Sequence, residues 1–349
     1  MKFLLSDEHL QFRDLLRDFF SKSFAGEKLK KFLTEARTEQ VTLELKIIWD
    51  EFSELGAISG GVTESCGGLG LGFLNHVILV SEAARFLAPL PILETLYFGV
   101  LPLEAILLGP DLPNKTELSK DMESLILGES VAAGFLQKDI ISEQGDVLFF
   151  EKRTELCRAS LAGVEFAQAT STGAELIRGS RLLEQVPNYE ILGKIPSPRT
   201  LELSRLVLVA AELVSVARAA EETTLEFVKT RKQFGVAIGT FQVLQHKLAD
   251  IRVKLDSAES LLNFAGWAKD NSTLQFEESA LSCFLYARQV SKEVIEDCLQ
   301  LHGGMGFTWE CNIHLYLRRV LSTALWCDDA NKLAIELTEL EKPPSVGYQ

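Results

Sequence analysis

Residues 230 to 251, TRKQFGVAIGTFQVLQHKLADI, set Arg231 and Lys232 beside Gln233, Phe234 and Gly235, with Gly239 and Gln242 close behind. A guanidinium is a planar fork of donors that stays charged at any physiological pH, and a glutamine amide both donates and accepts. The glycines interrupt a helical rhythm that resumes at Phe241, Leu244 and Leu248. The segment therefore reads as the tip of a helix hairpin, cationic and aromatic. A solvated loop between two core helices fits the same residue types, and the segment alone does not separate the two. Metal chemistry finds no ligands, because the five histidines are dispersed. The six cysteines stand singly without a CxxC pair, which reads as reduced packing residues.

Three blocks must position these groups. Residues 1–125 are helical: Phe12, Leu15, Leu16, Phe19 and Phe20 recur at one-face spacing after a start signal at Ser6, and LNHVILVSEAARFL repeats the pattern. Between these helices, GAISGGVTESCGGLGLG is too rich in glycine for a helix and permits a tight loop. Residues 126–198 change character, with SVAAGFL, DVLFFEKR and LAGVEFAQA as short strand-like runs in a small β domain. Residues 199–349 return to helix in four long segments, roughly 201–231, 240–270, 276–300 and 312–339, which predicts a four-helix bundle. The polar tail EKPPSVGYQ reads as frayed.

Composition excludes some functions. The chain of 349 residues carries 49 acidic against 35 basic side chains, a net charge of −14, which argues against nucleic-acid binding. The N-terminus lacks the apolar run of a signal peptide, and no stretch has the length of a membrane span, so a cytoplasmic protein is expected.

A helical block, a small β block and a four-helix block in that order resemble the acyl-CoA dehydrogenase family. GVTESCGGLGLG is similar to its N-terminal loop, TRKQFG followed by FQ to its hairpin at the adenine end of FAD, and QLHGGMGF to its second FAD-binding turn. HLYLRR, residues 314–319, resembles a subset of bacterial members. The resemblance implies a mostly α fold with a small β domain. It implies FAD as cofactor, held across a subunit interface by Arg231, Gln233, Phe234 and Gln242, with Gln300, Gly303 and Gly304 at the second turn. In that role Arg231 meets phosphate oxygens, Phe234 faces the adenosine, and the glycines let backbone N–H groups approach the pyrophosphate. His302 is expected to pack or orient.

The family dehydrogenates an acyl-CoA thioester: a carboxylate takes the α proton and the β hydrogen leaves as hydride to the flavin, so a base in an apolar pocket is required. Members keep that base just before an arginine of the first bundle helix or in the loop after a C-terminal arginine. Here Ser204 precedes Arg205, an arginine on the substrate side, and the second position falls at Cys327 or, shifted by one, Asp328. Two acids remain as candidates. Glu212 interrupts an apolar run but shares a helix side with Arg205, Ser215 and Glu222, which also reads as a polar stripe. Asp328 is followed by Asp329, and paired acids also serve as caps or solvated charges. The β block is shortened, and AAGFLQKDIISEQGD lacks the family's flavin-side loop. The pattern resembles the short subunits of heteromeric bacterial acyl-CoA dehydrogenases, some acting on steroid-derived thioesters. It implies an accessory chain in an α2β2 assembly with a full-length partner and an electron-transfer acceptor. The alternatives are a complete dehydrogenase using Asp328 or Glu212, and an FAD-free scaffold or acyl-CoA binder.

Overall fold

The computed structural model describes residues 5–34, 38–110, 115–136, 139–141, 145–161, 188–308, 311–327 and 329–340. The N-terminal helices are α1 (Asp7–Phe24), α2 (Glu27–Thr34), α3 (Glu39–Glu54) and α4 (Phe73–Arg85), then α5 (Ile92–Glu94), a π-helical segment Thr95–Val100, α6 (Leu101–Leu107) and α7 (Lys115–Ile126). Ser6 starts α1 as expected, its hydroxyl accepting from the His9 N–H in a capping box. Leu16, Phe20 and Phe24 recur every four residues and are buried, with Phe20 stacked on Phe52 of α3 at 5.9 Å. Leu15, on the neighbouring face, stays 48% exposed.

The loop before α4 folds into two short 3-10 turns, Ser59–Gly61 and Glu64–Cys66. It ends at Gly72, whose φ of +94° is open to glycine and strained for other residues. The side-chain capping of α4 comes from far along the chain: the Asp270 carboxylate accepts from the N–H groups of Phe73 (2.6 Å) and Leu74 (3.0 Å).

A five-stranded sheet follows: β1 (Ala132–Leu136), β2 (Asp139–Ile141), β3 (Val147–Lys152), β4 (Glu155–Ser160) and β5 (Tyr189–Lys194), in spatial order β2-β1-β3-β4-β5. Only the β1–β3 pairing is parallel. SVAAGFL and DVLFFEKR contain β1 and β3; LAGVEFAQA lies, past Leu161, outside the described residues, as does the tail EKPPSVGYQ.

Helix α8 (Pro198–Thr230) is the axis of the molecule. Its 33 residues span about 50 Å. Almost every residue from Leu203 to Ala220 is buried, because α4 (Phe73–Arg85) covers one side and the rest of the bundle the other. The bundle continues through α9 (Gln242–Asp270), α10 (Phe276–His302), α11 (Ile313–Ala324) and α12 (Ala330–Leu340). One sequence expectation is corrected here: the segment 312–339 is two helices, since the chain turns at Leu325–Cys327 before Asp329 accepts from the Lys332 N–H and starts α12. The mean burial of α12 is low, with Leu333 its one buried residue among those described.

Candidate functional site

The cationic hairpin forms at the C-terminal end of α8. The Arg231 N–H closes that helix on the Phe227 carbonyl (2.8 Å), and two short strands follow, β6 (Lys232–Gln233) and β7 (Val236–Ala237), paired Lys232 to Ala237 and Gln233 to Val236. The tip is therefore a β-hairpin, where periodicity had suggested a plain turn between helices. Its two loop residues, Phe234 (φ 54°) and Gly235 (φ 83°), both lie in the left-handed region, as a two-residue hairpin with the twist of its strands requires. Glycine adopts that conformation freely; phenylalanine is held in it at a cost. The Phe234 ring gains little in return inside this chain, being 92% exposed with one edge-on neighbour, Phe241, at 6.3 Å.

The second turn lies at the same end, because α8 and α10 each run antiparallel to α9. The imidazole of His302, last residue of α10, stacks on Phe227 at 4.3 Å and 22°, which joins the root of the hairpin to the glycine turn. Nδ1 of His302 donates to the Cys298 carbonyl (2.9 Å), and burial lowers its pKa, so the ring is a neutral packing element. Gly303 follows with φ 60° and ψ −144°, a conformation reserved for glycine. An added Cβ at Gly303 or Gly304 would meet no atom within 4 Å, so this backbone faces open space. Arg231, Gln233, Phe234, Gln242, Gln300, Gly303 and Gly304 are all exposed. The structure brings the two motifs to one end of the bundle, and no described residue covers Phe234, Gly303 or Gly304. Donors from an arginine, three exposed glutamine amides and bare backbone, beside an unpacked aromatic ring, fit the adenosine and pyrophosphate half of FAD.

Arg205 stands near the opposite end of α8, in a cavity of about 470 Å³ lined by Tyr97, Glu151, Leu206, Trp326 and Cys327. Its Nε donates to the Tyr97 carbonyl (2.9 Å), its guanidinium lies 4.7 Å from the Tyr97 ring, and Nη1 pairs with the Glu151 carboxylate from β3. Trp326 meets Tyr97 edge-on at 5.1 Å and Phe98 at 5.5 Å. Burial raises the Tyr97 phenol well above its ordinary value. Glu151, Tyr97 and Trp326 carried no local sequence signal: they come from a strand, a π-helical turn and a loop, and only the fold brings them together.

The two positions where the family keeps its base are both described in part. Ser204 is buried, with Oγ donating to the Thr200 carbonyl (2.7 Å), and it faces a different cavity from Arg205. Cys327 is 9% exposed at the cavity wall; Asp328 lies outside the described residues. Glu212, two turns along α8 from Arg205, is 1% exposed and accepts from Arg319 Nε (2.6 Å) and Thr323 Oγ1 (2.7 Å) of α11. It is a buried ion-paired group, where the sequence had suggested a polar stripe.

Comparison with known proteins agrees with this architecture. Residues 6–101 match the N-terminal domain, and residues 198–327 the C-terminal domain, of acyl-CoA dehydrogenases. The acyl-CoA dehydrogenase IpdE2 of Mycobacterium tuberculosis is 28% identical over 273 residues, covering 78% of this chain and 79% of the relative. The butyryl-CoA dehydrogenase of Megasphaera elsdenii superposes with a TM-score of 0.80 at 19% identity, over 97% of this chain and 99% of that one. The ChsE4–ChsE5 complex of Mycobacterium tuberculosis gives 0.79 at 17% identity, over 99% and 100%. With two domain matches that together span most of its length, and the same helical–β–helical fold, this chain belongs to the acyl-CoA dehydrogenase family.

Proposed function

We propose that this chain is the accessory subunit of a heteromeric flavin-dependent acyl-CoA dehydrogenase, clamping the adenosine–pyrophosphate end of an FAD whose isoalloxazine rests in a full-length partner. The observation that carries this reading is an asymmetry along α8. At its C-terminal end Arg231, Phe234 and the Gly303–Gly304 backbone face outward with no covering group among the described residues. At its other end Arg205 is already neutralised by Glu151, and neither Ser204 nor Cys327 is a carboxylate.

In the assembled enzyme FAD would accept the β hydride. The residues of this chain would hold it: Arg231 by paired N–H donors to phosphate oxygens, Phe234 by its ring face, and Gly303 and Gly304 by main-chain N–H groups. The α proton would go to a carboxylate of the partner. The ChsE4–ChsE5 complex, by its name a two-component assembly, shares the fold and is consistent with an α2β2 arrangement. A bulky steroid-derived acyl-CoA is the substrate class we favour, since a solved structure of a steroid ACAD, Tcur3481–Tcur3483, also shares the fold. Two electrons would leave through an electron-transfer acceptor.

The test is flavin stoichiometry. Expressed alone, the chain should purify with little FAD; co-expressed with a full-length family member from the same genome, the complex should carry stoichiometric flavin. A homogeneous homo-oligomer with one FAD per chain would overturn the reading.

A further inference from the structure

Across the first turns of α8 from Arg205 lies a second cavity, of about 420 Å³, which the proposed flavin clamp does not use. Its apolar walls come from Phe73, Leu101, Leu201 and Leu108, the last 56% exposed at the mouth. Its polar groups are two acids, Glu104 and Asp270, one cation, Lys269, and the side chains of Thr63, Ser197, Thr200 and Ser204, the last of which donates to the Thr200 carbonyl.

The acids are engaged within the fold. Glu104 accepts from the Thr63 N–H (2.8 Å), and the two oxygens of Asp270 accept from the first N–H groups of α4, whose positive end offsets its charge. The cation is not. Lys269 Nζ makes no hydrogen bond or ion pair among the described residues; it lies 5.6 Å from the Phe276 ring, and burial pushes its pKa down against the pull of Glu104 and Asp270. Beside it, Ser197 stands at the N-cap of α8, but its hydroxyl makes no capping hydrogen bond. A half-buried ammonium with spare donors, an uncommitted hydroxyl and an apolar wall surround one space. Glu104 and Asp270 act on the charge of Lys269 through space, but among the described residues its N–H donors have no acceptor.

We propose that this cavity binds a small monocarboxylic acid, its carboxylate on Lys269 and the Ser197 and Thr200 hydroxyls, its apolar body against Leu101, Leu108, Leu201 and Phe73. Glu104, Asp270 and Lys269 together leave the lining one charge negative, so a carboxylate would be held by direct hydrogen bonds from Lys269 and the hydroxyls and not by net charge, and a dianion would be repelled more strongly. The volume falls within the range of about 300–1,000 Å³ usual for small-ligand pockets. Nothing in this assignment depends on the accessory reading, since the carboxylate site would exist in the chain with or without flavin.

The test is calorimetric titration of the full chain with sodium hexanoate, with hexylamine and inorganic phosphate as comparisons. Saturable binding of hexanoate at one site is expected, about ten- to a hundredfold weaker in Lys269→Met and largely retained in Lys269→Arg. Leu108→Glu, at the exposed mouth, should weaken hexanoate by repulsion without altering Lys269, and so reads the site even if Lys269→Met fails to fold. The proposal is overturned if wild type does not bind hexanoate, if a folded Lys269→Met binds it equally, if Leu108→Glu leaves binding unchanged, or if hexylamine or phosphate binds as tightly.

Discussion

The two ends of α8 carry comparable chemistry put to opposite use. Arg205 and Arg231 are both arginines beside an aromatic residue. Around Arg205 the chain supplies every partner itself: a carbonyl, a ring face and a carboxylate. Around Arg231 it supplies none of these among the described residues, and it spends backbone strain at Phe234 to hold an unpacked ring in water. A guanidinium satisfied internally is a structural joint between domains; one left open next to a strained, exposed aromatic is a surface awaiting something from outside. The contrast makes the bundle end the better functional candidate, although the family's catalytic chemistry belongs to the other.

The largest effect expected tests how closed the inner region is. Glu212→Leu removes the buried carboxylate that pairs with the Arg319 guanidinium, and losing one partner of a buried pair should cost about 3–5 kcal/mol, read as a lowered denaturant midpoint. A loss below about 1 kcal/mol would show that the pair is dispensable. At the open end, Arg231→Ala should leave that midpoint unchanged and weaken FAD retention in the assembled complex by roughly 1.5–3 kcal/mol, more than tenfold, measured as flavin content after dialysis. Unchanged flavin with an intact assembly would reduce the hairpin to a surface loop.

Acid should distinguish the regions next. Burial lowers the pKa values of His76, His302 and His314, so unfolding takes up protons that the native state refuses. Their contribution is intact above the ordinary histidine pKa of about 6.5 and is lost as pH falls through the depressed values. His302→Phe keeps the stack on Phe227 and removes one of these protons; its melting temperature should fall less than that of wild type between about pH 7 and pH 5. An identical slope would mean that His302 does not titrate in this range. The smallest effect concerns the base. Asp328→Asn and Glu212→Gln, at matched folded fraction and FAD content, should each leave flavin reduction by acyl-CoA within about threefold, whereas loss of a true general base costs about 10²- to 10⁴-fold. A hundredfold loss at Asp328 would make this chain the catalytic one.

Much of the fold was legible because its signals are local. The Ser6 cap, the spacing of Leu16 and Phe20, and the glycines before Phe73 each act within a few residues, and the two motifs at the bundle end were readable as strings. What stayed hidden was set by distance. Glu151 reaches Arg205 across 54 positions and Glu212 reaches Arg319 across 107, so a helical wheel could mark Glu212 only as polar, not as paired. The break after Leu325 was missed for another reason: Leu321, Leu325, Leu333 and Leu337 keep an apolar rhythm straight through it. The left-handed Phe234 was also invisible, since its residue type argues against the conformation it adopts.

The cap on α4 has a consequence for how the protein is made. Phe73 and Leu74 are held by a carboxylate 197 and 196 residues further on, so the N-terminal helices leave the ribosome well before the group that completes them exists. At about 5–20 residues per second, that interval lasts roughly 10–40 s. During it the start of α4 has free N–H groups, although α8, finished by residue 230, can cover the apolar face of α4 sooner. Residue 270 is therefore needed for the cap and not for the packing, and a ribosome stalled just short of it would present a nascent chain whose α4 has its covering helix but not the carboxylate that holds its first turn.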